Sequence, residues 1–298
     1  MDKQQIKPII VDAEQRSARW FEARLGKPTG SQVMNTMSYM KSSITKGKMA
    51  QAEAYHTEHQ MPIEILERLR DEYPFEFMLS ANLTVFESEA RANYRKGIVA
   101  ERITGQPADP DPYINKAMQW GIMNEEIAKT MYQLRSENIV TDAPFMLHPE
   151  LACGASPDGT VVDRKTGEIG NIEIKCLNSV NHLYKIILLK SMPSEYIPQV
   201  QMQMWINSAD WCDFVGFDSR VKEGLRLFVQ RVERDNFYIN YVLEPSIRRF
   251  LDECDADEKQ FIAIMLSSKD DETTPSEKVL SKFALDAEVR KSEAKADE

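Results

Sequence analysis

The most informative part of the sequence reads Gly-Ala-Ser-Pro-Asp-Gly at residues 154–159 and Ile-Glu-Ile-Lys at residues 172–175. The segment between them is rich in turn-forming residues, and β-branched and apolar residues stand on either side of the turn. This pattern predicts a β-hairpin whose second strand covers residues 169–176. Such a hairpin would place the carboxylate of Asp158 beside that of Glu173.

Two carboxylates side by side supply the hard oxygen ligands that Mg²⁺ and Mn²⁺ prefer. Because side chains alternate along a strand, Glu173 and Lys175 share one face. An ammonium group beside the carboxylates can orient a water molecule or stabilise negative charge that develops on a phosphate. Alternatively, Asp158 is an ordinary turn residue, and Glu173 and Lys175 form a surface ion pair. The three residues alone leave both interpretations open.

The chain has 298 residues, enough for one large or two small domains. Its longest apolar run is too short to cross a membrane, and its first residues lack the basic and apolar regions of a signal peptide. We therefore expect a cytoplasmic protein without membrane contact. The four cysteines are widely spaced, which gives no indication of a zinc site or a disulfide framework. His56 and His59 stand in a polar segment, where solvated side chains are expected.

The formal net charge of −10 argues against a nucleic-acid-binding protein until the charge is located. Residues 252–298 hold 14 Asp and Glu against seven Lys and Arg, so that residues 1–251 carry a net charge of only −3. A nearly neutral body can still present a basic groove, because the local field attracts phosphate. This distribution predicts one domain over residues 1–251 and an acidic tail over residues 252–298, either loosely helical or disordered.

The order of the predicted elements indicates an α/β domain, because helices precede a compact group of strands and a helix with further strands follows it. Residues 41–85 show a mixed pattern with only one clear helix. The predicted helices cover residues 12–24, 33–37, 63–70, 87–104, 114–134, 180–190, 194–207 and 235–252, and the predicted strands lie between residues 145 and 176, at 212–217 and at 226–231.

Two of these helices carry polar residues that could face the hairpin. Glu125, Ala128 and Tyr132 fall three and four residues apart and share one helical face, so Glu125 could supply a third carboxylate. Gln199 and Gln203 also share a face, and their amides could bond to a phosphate or to a metal-bound water. The alternatives are a solvated glutamate and two glutamines that only make a helix surface polar.

Five segments in this order resemble the motifs of lambda-type phage exonucleases, the YqaJ-like viral recombinase branch of the PD-(D/E)XK nuclease superfamily. The resemblance runs from about Trp20 to Tyr241, and five motifs in the right order form a specific signal. It implies an α/β, restriction-endonuclease-like core in which a mixed central sheet is flanked by helices. The matching segments are Arg24–Ser31, Trp120–Glu125, Ser156–Gly159, Glu173–Lys175 and Tyr196–Gln201.

The resemblance also implies the composition of the active site. Two carboxylates and one backbone carbonyl would hold the metal, a lysine would be the catalytic base or a charge stabiliser, a helical acid would assist, and two further polar residues would support the site. The metal ligands would be Asp158, Glu173 and the Ile174 carbonyl. Lys175 would be the base or charge stabiliser and Glu125 the helical acid, and the supporting residues would be Tyr196 and Gln199.

Arg24, Thr29 and Ser31 would match the family's pocket for a 5′-terminal phosphate. The residue types agree with this role, because Ser31 stands at a predicted helix start, where free N–H groups favour an anion, and Arg24 can add a bidentate fork. Alternatively, Ser31 is simply an N-cap and Arg24 a cation at a helix end.

As a function, the resemblance implies a metal-dependent 5′-to-3′ exodeoxyribonuclease that acts on ends of linear double-stranded DNA. It would yield mononucleotides and leave 3′ single-stranded overhangs for phage-type recombination. The implied cofactor is Mg²⁺, with Mn²⁺ as a substitute. The implied partners are double-stranded DNA ends, further copies in a ring-shaped homo-oligomer, often a trimer, and a single-strand annealing protein in the host cytoplasm.

Two other functions stay open at this point. A restriction-type endonuclease could use the same core without a phosphate pocket, and a non-catalytic DNA-binding assembly protein could keep the fold. Two features also depart from the family's pattern. Residues 41–85 form a probable insert between the first two motifs, and the acidic tail has no assigned role.

Overall fold

The computed structural model describes residues 5–108, 116–164, 166–176, 184, 186 and 190–267. The chain divides into two compact units, Met1–Asp255 and Ala256–Glu298. The described part of the second unit, residues 256–267, is helical. Within the described residues, no helix is both long and apolar enough to cross a membrane.

Helices form most of the first 136 residues, and strands follow. The helices are α1 (Ala18–Arg24), α2 (Val33–Thr36), α3 (Lys46–Glu58), α4 (Ile63–Glu72), α5 (Pro74–Ser80), α6 (Glu89–Thr104), α7 (Lys116–Ser136), α8 (Ile197–Asn207), α9 (Asn236–Tyr238) and α10 (Glu244–Ser267). The strands are β1 (Ile9–Val11), β2 (Val140–Thr141), β3 (Phe145–Leu147), β4 (Gly154–Ala155), β5 (Gly159–Val162), β6 (Ile169–Cys176), β7 (Trp211–Phe217) and β8 (Leu227–Glu233).

The central sheet has five strands in the order β2-β5-β6-β7-β8. Strands β6 and β7 run parallel, and the other neighbours are antiparallel, so the sheet is mixed. All seven residues of β7 are buried, as expected for a strand covered on both faces. A smaller antiparallel sheet has the order β1-β3-β4. The predicted restriction-endonuclease-like architecture, a mixed sheet flanked by helices, is confirmed.

Helices cover both faces of the central sheet. On one face, Ala128 and Tyr132 of α7 pack against Ile172 of β6. On the other face, Val200 of α8 packs against Phe214 of β7. Because side chains alternate along β6, its neighbours Ile172 and Glu173 meet different helices. A carboxylate on the α8 side is therefore enclosed between sheet and helix.

The segment predicted as an insert, residues 41–85, contains the three helices α3, α4 and α5. These helices bury Leu69 and Phe77 in the same apolar cluster as Trp205 of α8 and Leu243. Only the second of the three was predicted. Helix α3 was missed because its apolar residues form no stripe at helical spacing, and it buries only Ala52 and His56.

His56 corrects one prediction from the sequence. It is buried, and its Nε2 lies 2.9 Å from the carbonyl oxygen of Phe77 and 3.2 Å from the Ser80 hydroxyl. The expectation of a solvated side chain was wrong, because α5 packs over this face of α3.

Other boundaries differ where a local cap decides the start or end of a helix. Helix α1 begins at residue 18 and not at 12, because Ser17 caps it and Arg16 has a positive φ of 68°. The helix predicted to end at Asp252 continues to Ser267. Of the helix predicted over residues 180–190, most lies outside the described residues.

Candidate active site

The end of the β5–β6 hairpin holds the two predicted carboxylates. Gly159 pairs with Ile172 in an antiparallel register, so Asp158, one residue earlier, lies opposite Glu173. The Asp158 N–H donates to the Ile172 carbonyl at 3.0 Å, and its Oδ2 accepts from the Ile174 N–H at 2.7 Å. A Cβ on Gly159 would collide with a side chain of the neighbouring strand β2. Glycine at position 159 therefore lets β5 pair closely with β2 directly after Asp158.

Glu173 is almost fully enclosed, with 2% of its surface exposed. Its Oε1 accepts hydrogen bonds from Lys175 Nζ at 2.5 Å and from Gln199 Nε2 at 2.6 Å. Its Oε2 accepts from Gln203 Nε2 at 2.6 Å. Gln199 and Gln203 lie one turn apart on α8, as predicted, and both side chains donate to Glu173. Their bonds fix the orientation of a carboxylate that would otherwise be costly to bury.

The charges at this site influence one another strongly. Burial and the negative charge of Glu173 raise the pKa of Asp158 well above its usual value, and Glu125 adds to the effect while Lys175 opposes it. Burial alone would lower the pKa of Lys175, but the charges of Glu173 and Asp158 outweigh it and raise that pKa. Lys175 therefore stays an ammonium near neutral pH.

The donor set fits a divalent cation. Asp158 and Glu173 offer hard oxygens, and the repulsion that raises the pKa of Asp158 is what a bound cation would relieve. Within the described residues, no group of three or more His, Cys, Asp and Glu side chains is arranged to hold a metal. Two carboxylates would therefore need a backbone oxygen or water as further ligands, and the Ile174 carbonyl stays the ligand that the resemblance implies.

Tyr196 and Glu125 both lie near these groups, in different ways. The Tyr196 ring centre is 5.3 Å from Lys175 Nζ, and burial raises the pKa of its hydroxyl. Glu125 does not bond to the carboxylates. Its Oε2 accepts from Arg16 Nη2 at 2.7 Å. Arg16 was missed in the sequence because it stands 109 residues from its partner.

Arg24, Thr29 and Ser31 form a second cluster. Arg24 Nη2 donates to Thr29 Oγ1 at 3.2 Å and to Ser31 Oγ at 3.3 Å. Its guanidinium lies 4.0 Å from the Trp20 ring centre and 5.2 Å from that of Phe145. These residues are brought together as predicted, beside a cavity of about 190 Å³ that both Arg24 and Thr29 line.

Arg24 lacks a carboxylate partner in the described part of the chain. Burial lowers its pKa to about 10, with smaller opposing effects from Tyr94 and Glu101. A half-buried cation bonded only to hydroxyl groups is suited to an anion from outside. The sequence placed Ser31 at a helix start whose free N–H groups would attract an anion. That attraction is small here, because Ser31 lies in the short turn Gly30–Gln32 and α2 has only four residues.

Sequence reasoning did not single out Ser156. Thr29 forms a parallel bridge with Gly154, so residues 154–156 run beside residues 29–31. The Ser156 Oγ is buried and has no hydrogen-bond partner among the described residues. The only signal in the sequence was its place directly before Pro157 and Asp158 in the hairpin motif. The bridge therefore joins the Arg24 cluster to β4, which ends three residues before Asp158.

Comparison with solved structures identifies exonucleases of similar fold. An alkaline exonuclease (LHK-Exo) from Laribacter hongkongensis is 29% identical, with a TM-score of 0.61, and the match covers 84% of this chain and 99% of that one. Its complex with dAMP gives a TM-score of 0.62 at the same identity and coverage. A phage related exonuclease from Haemophilus somnus 129PT is 17% identical, with a TM-score of 0.50 over 80% of this chain and 96% of that one, which supports the fold alone.

No curated protein sequence gave a significant match. Residues 19–210 match the YqaJ-like viral recombinase domain, and this range includes both residue clusters described above. The match covers well over half of the 298 residues. The chain therefore belongs to the YqaJ-like viral recombinase family.

Proposed function

We propose that this protein is a metal-dependent 5′-to-3′ exodeoxyribonuclease that degrades one strand of linear double-stranded DNA from its end. Family and structural relatives support a phage-type exonuclease. The observation that carries the proposal is the placement of Asp158 opposite Glu173, with Lys175 Nζ 2.5 Å from the Glu173 carboxylate. We assign the activity to residues 1–251 and treat residues 252–298 as an acidic tail.

Asp158, Glu173 and the Ile174 carbonyl would hold Mg²⁺, or Mn²⁺ in its place. When bound, such an ion acts as a Lewis acid on the phosphate and lowers the pKa of a bound water. Lys175 stays protonated because its pKa is raised, which favours the charge-stabilising role over that of a base. Gln199 and Gln203 keep Glu173 oriented, Tyr196 lies beside the Lys175 ammonium, and Glu125 adds negative charge nearby.

The Arg24 cluster supports the direction of degradation. Its guanidinium and the hydroxyls of Thr29 and Ser31 offer donors to a terminal 5′ phosphate, and the bridge from Thr29 to Gly154 links them to β4, which precedes the catalytic hairpin in the chain. The Laribacter hongkongensis relative has been solved in complex with dAMP, a nucleoside monophosphate of the kind proposed here as product. The products would be mononucleotides and 3′ single-stranded overhangs, as phage-type recombination requires.

The proposal extends to partners. Double-stranded DNA ends would be the substrate, and the resemblance to lambda-type enzymes supports a ring-shaped homo-oligomer, often a trimer, and a single-strand annealing protein that receives the overhang. Action on phage or bacterial DNA would place the protein in the host cytoplasm.

The test is hydrolysis of a linear duplex with one 5′-phosphorylated, end-labelled strand. We expect release of labelled mononucleotide from the phosphorylated 5′ end with Mg²⁺ or Mn²⁺, none in EDTA, and slower loss of the complementary strand, whose 5′ end carries a hydroxyl. A closed circular duplex serves as the control, because it has no end to bind. Cleavage of the circle would show that the protein is an endonuclease. Hydrolysis in EDTA would show that the reaction does not require a metal.

A further inference from the structure

One segment of this acidic protein carries basic residues and no acidic ones. Residues 23–52 contain five Lys and Arg and no Asp or Glu, although the whole chain has a net charge of −10. The segment begins at the Arg24 cluster and ends in α3. Its last three cations, Lys41, Lys46 and Lys48, form no ion pair with a carboxylate among the residues described. The segment itself therefore contributes only positive formal charge to its surroundings.

An exposed aromatic side chain lies against this segment. Phe86 is 56% exposed, and its neighbour Met40 is 49% exposed. The Met40 N–H donates to the Phe86 carbonyl at 2.8 Å, and the Phe86 N–H donates to the Ser43 hydroxyl at 2.9 Å. These bonds hold the backbone of Phe86 against residues 40–43. The ring is thus presented to solvent from a fixed backbone.

Lys48 places an ammonium group at this ring. Its Nζ lies 5.3 Å from the Phe86 ring centre and donates to the Thr84 carbonyl at 2.7 Å. The carboxylate of Glu87, next to Phe86 in the chain, is already held by Arg91 and Arg95, each at 2.8 Å, and Glu53, the acidic residue nearest to Lys48 in the chain, is paired with Arg70. We call Met40, Ile44, Lys48 and Phe86 the Phe86 patch.

An exposed ring beside the Lys48 ammonium, which has no carboxylate partner among the described residues, matches single-stranded nucleic acid in both respects. Phosphates complement the lysines, and an unpaired base can stack on an aromatic ring, whereas the base faces of a duplex are hidden in its stack. Met40 is nine residues from Ser31, so the patch lies within about 30 Å of the Arg24 cluster along the chain. One DNA molecule can therefore reach both.

We propose that the Phe86 patch binds single-stranded DNA, with an unpaired base stacked on Phe86 and the adjoining phosphate at Lys48. This inference rests on the proposed function, in which the strand that is not degraded becomes single-stranded as the other is removed. The patch would hold that strand and keep it apart from the active site.

The test is binding of a fluorescently labelled 15-nucleotide oligothymidylate to the full-length protein in EDTA, where no hydrolysis is expected. Phe86→Ala should raise the Kd by about fivefold to a hundredfold, the range found for loss of one base-stacking aromatic. Phe86→Trp should retain affinity, and Phe86→Leu, which keeps apolar contact with Met40, should behave like Phe86→Ala. Lys48→Ala should also lower the slope of log affinity against log salt by about 0.7.

Phe261→Ala is the matched control, because Phe261 is equally exposed at 55% and lies in α10. Unchanged oligothymidylate binding by Phe86→Ala and Phe86→Leu overturns the proposal. So does an equal loss of affinity for a blunt duplex, or a change in sedimentation of the free protein, which would assign the patch to a second copy. Nuclease assays distinguish failure of this proposal from failure of the proposed exonuclease function. If the protein is an active exonuclease and its affinity for single-stranded DNA does not depend on Phe86, only the proposal for the Phe86 patch is refuted.

Discussion

At the scale of single residues, the two carboxylates of the hairpin differ in how they are held. Glu173 accepts hydrogen bonds from three side chains, whereas Asp158 accepts one from a backbone N–H. Burial first, and then the charges of Glu173 and Glu125, raise the pKa of Asp158, so a cation bound beside it would stabilise its charged form. Glu173 is fixed in position by its neighbours, and Asp158 depends on what binds beside it.

Replacement of Asp158 or Glu173 by Ala should abolish cleavage, because each would supply charge to the proposed metal, to which we assign most of the catalysis. Lys175→Ala should slow cleavage by about a hundredfold or more, the cost of losing one charge stabiliser, while Mn²⁺ binding persists. Mononucleotide release and calorimetric Mn²⁺ binding measure the two effects. Glu168→Ala, in the exposed hairpin turn, is the control. Parental activity of Lys175→Ala at saturating Mg²⁺ would contradict the assignment.

Arg24→Ala should change the preference between types of DNA end. An arginine at a phosphate contributes about 1.5 to 3 kcal/mol, so its loss should slow degradation of 5′-phosphorylated ends by roughly ten- to a hundredfold. Hydroxyl ends offer no dianion and should be affected much less. The rate ratio on otherwise identical duplexes is compared for the parent, Arg24→Ala and the exposed control Arg19→Ala. The same ratio in all three proteins would place phosphate recognition elsewhere.

At the scale of elements, the sequence predicted what depends on local pattern. The turn residues and alternation of β6 sufficed to place Asp158 beside Glu173, and the four-residue spacing of Gln199 and Gln203 put both on one face of α8. The near-complete burial of Glu173 was not predictable, because its own strand does not reveal which helix covers it. The contact from Arg16 to Glu125 likewise depends on tertiary packing.

Helix α5 carries a buried acid that should make folding stability depend on pH. Glu76 is 8% exposed, and burial raises its pKa from 4.5 to about 7, with its own backbone and Arg249 opposing. The folded state thus binds a proton more tightly than the unfolded state. Its contribution to stability is complete below about pH 4.5 and is lost as the pH rises through about 7.

Glu76→Gln should remove this dependence. At about 1.4 kcal/mol per pKa unit, the free energy of unfolding of the variant should exceed that of the parent by up to about 3 kcal/mol at pH 8 and by much less at pH 5. Urea unfolding at the two pH values measures the difference. Glu58→Gln, on the exposed side of α3, is the control. If the free energies of unfolding of Glu76→Gln and the parent differ by the same amount from pH 5 to pH 8, Glu76 is not the titrating group.

At the scale of the whole molecule, charge is distributed unevenly. Residues 252–298 carry a net charge of −7, while residues 23–52 carry five cations and no acid. The net charge of −10 therefore does not oppose DNA binding, because a phosphate is attracted by the electrostatic potential at its binding site and not by the net charge of the whole protein. The acidic C-terminal residues were located from composition alone, whereas the association of the basic segment with Phe86 required the fold.

This distribution predicts how affinity for duplex DNA changes with salt. Each lysine that neutralises a phosphate adds about 0.9 to the slope of log affinity against log salt, so Lys41→Ala/Lys46→Ala should lower the slope by about 2. Binding of a blunt duplex is measured in EDTA across a range of salt concentrations. Lys7→Ala/Lys259→Ala removes the same charge from exposed positions outside the basic segment and should leave the slope unchanged. If both double variants lower the slope equally, duplex binding responds to net charge and not to the segment that begins at Arg24.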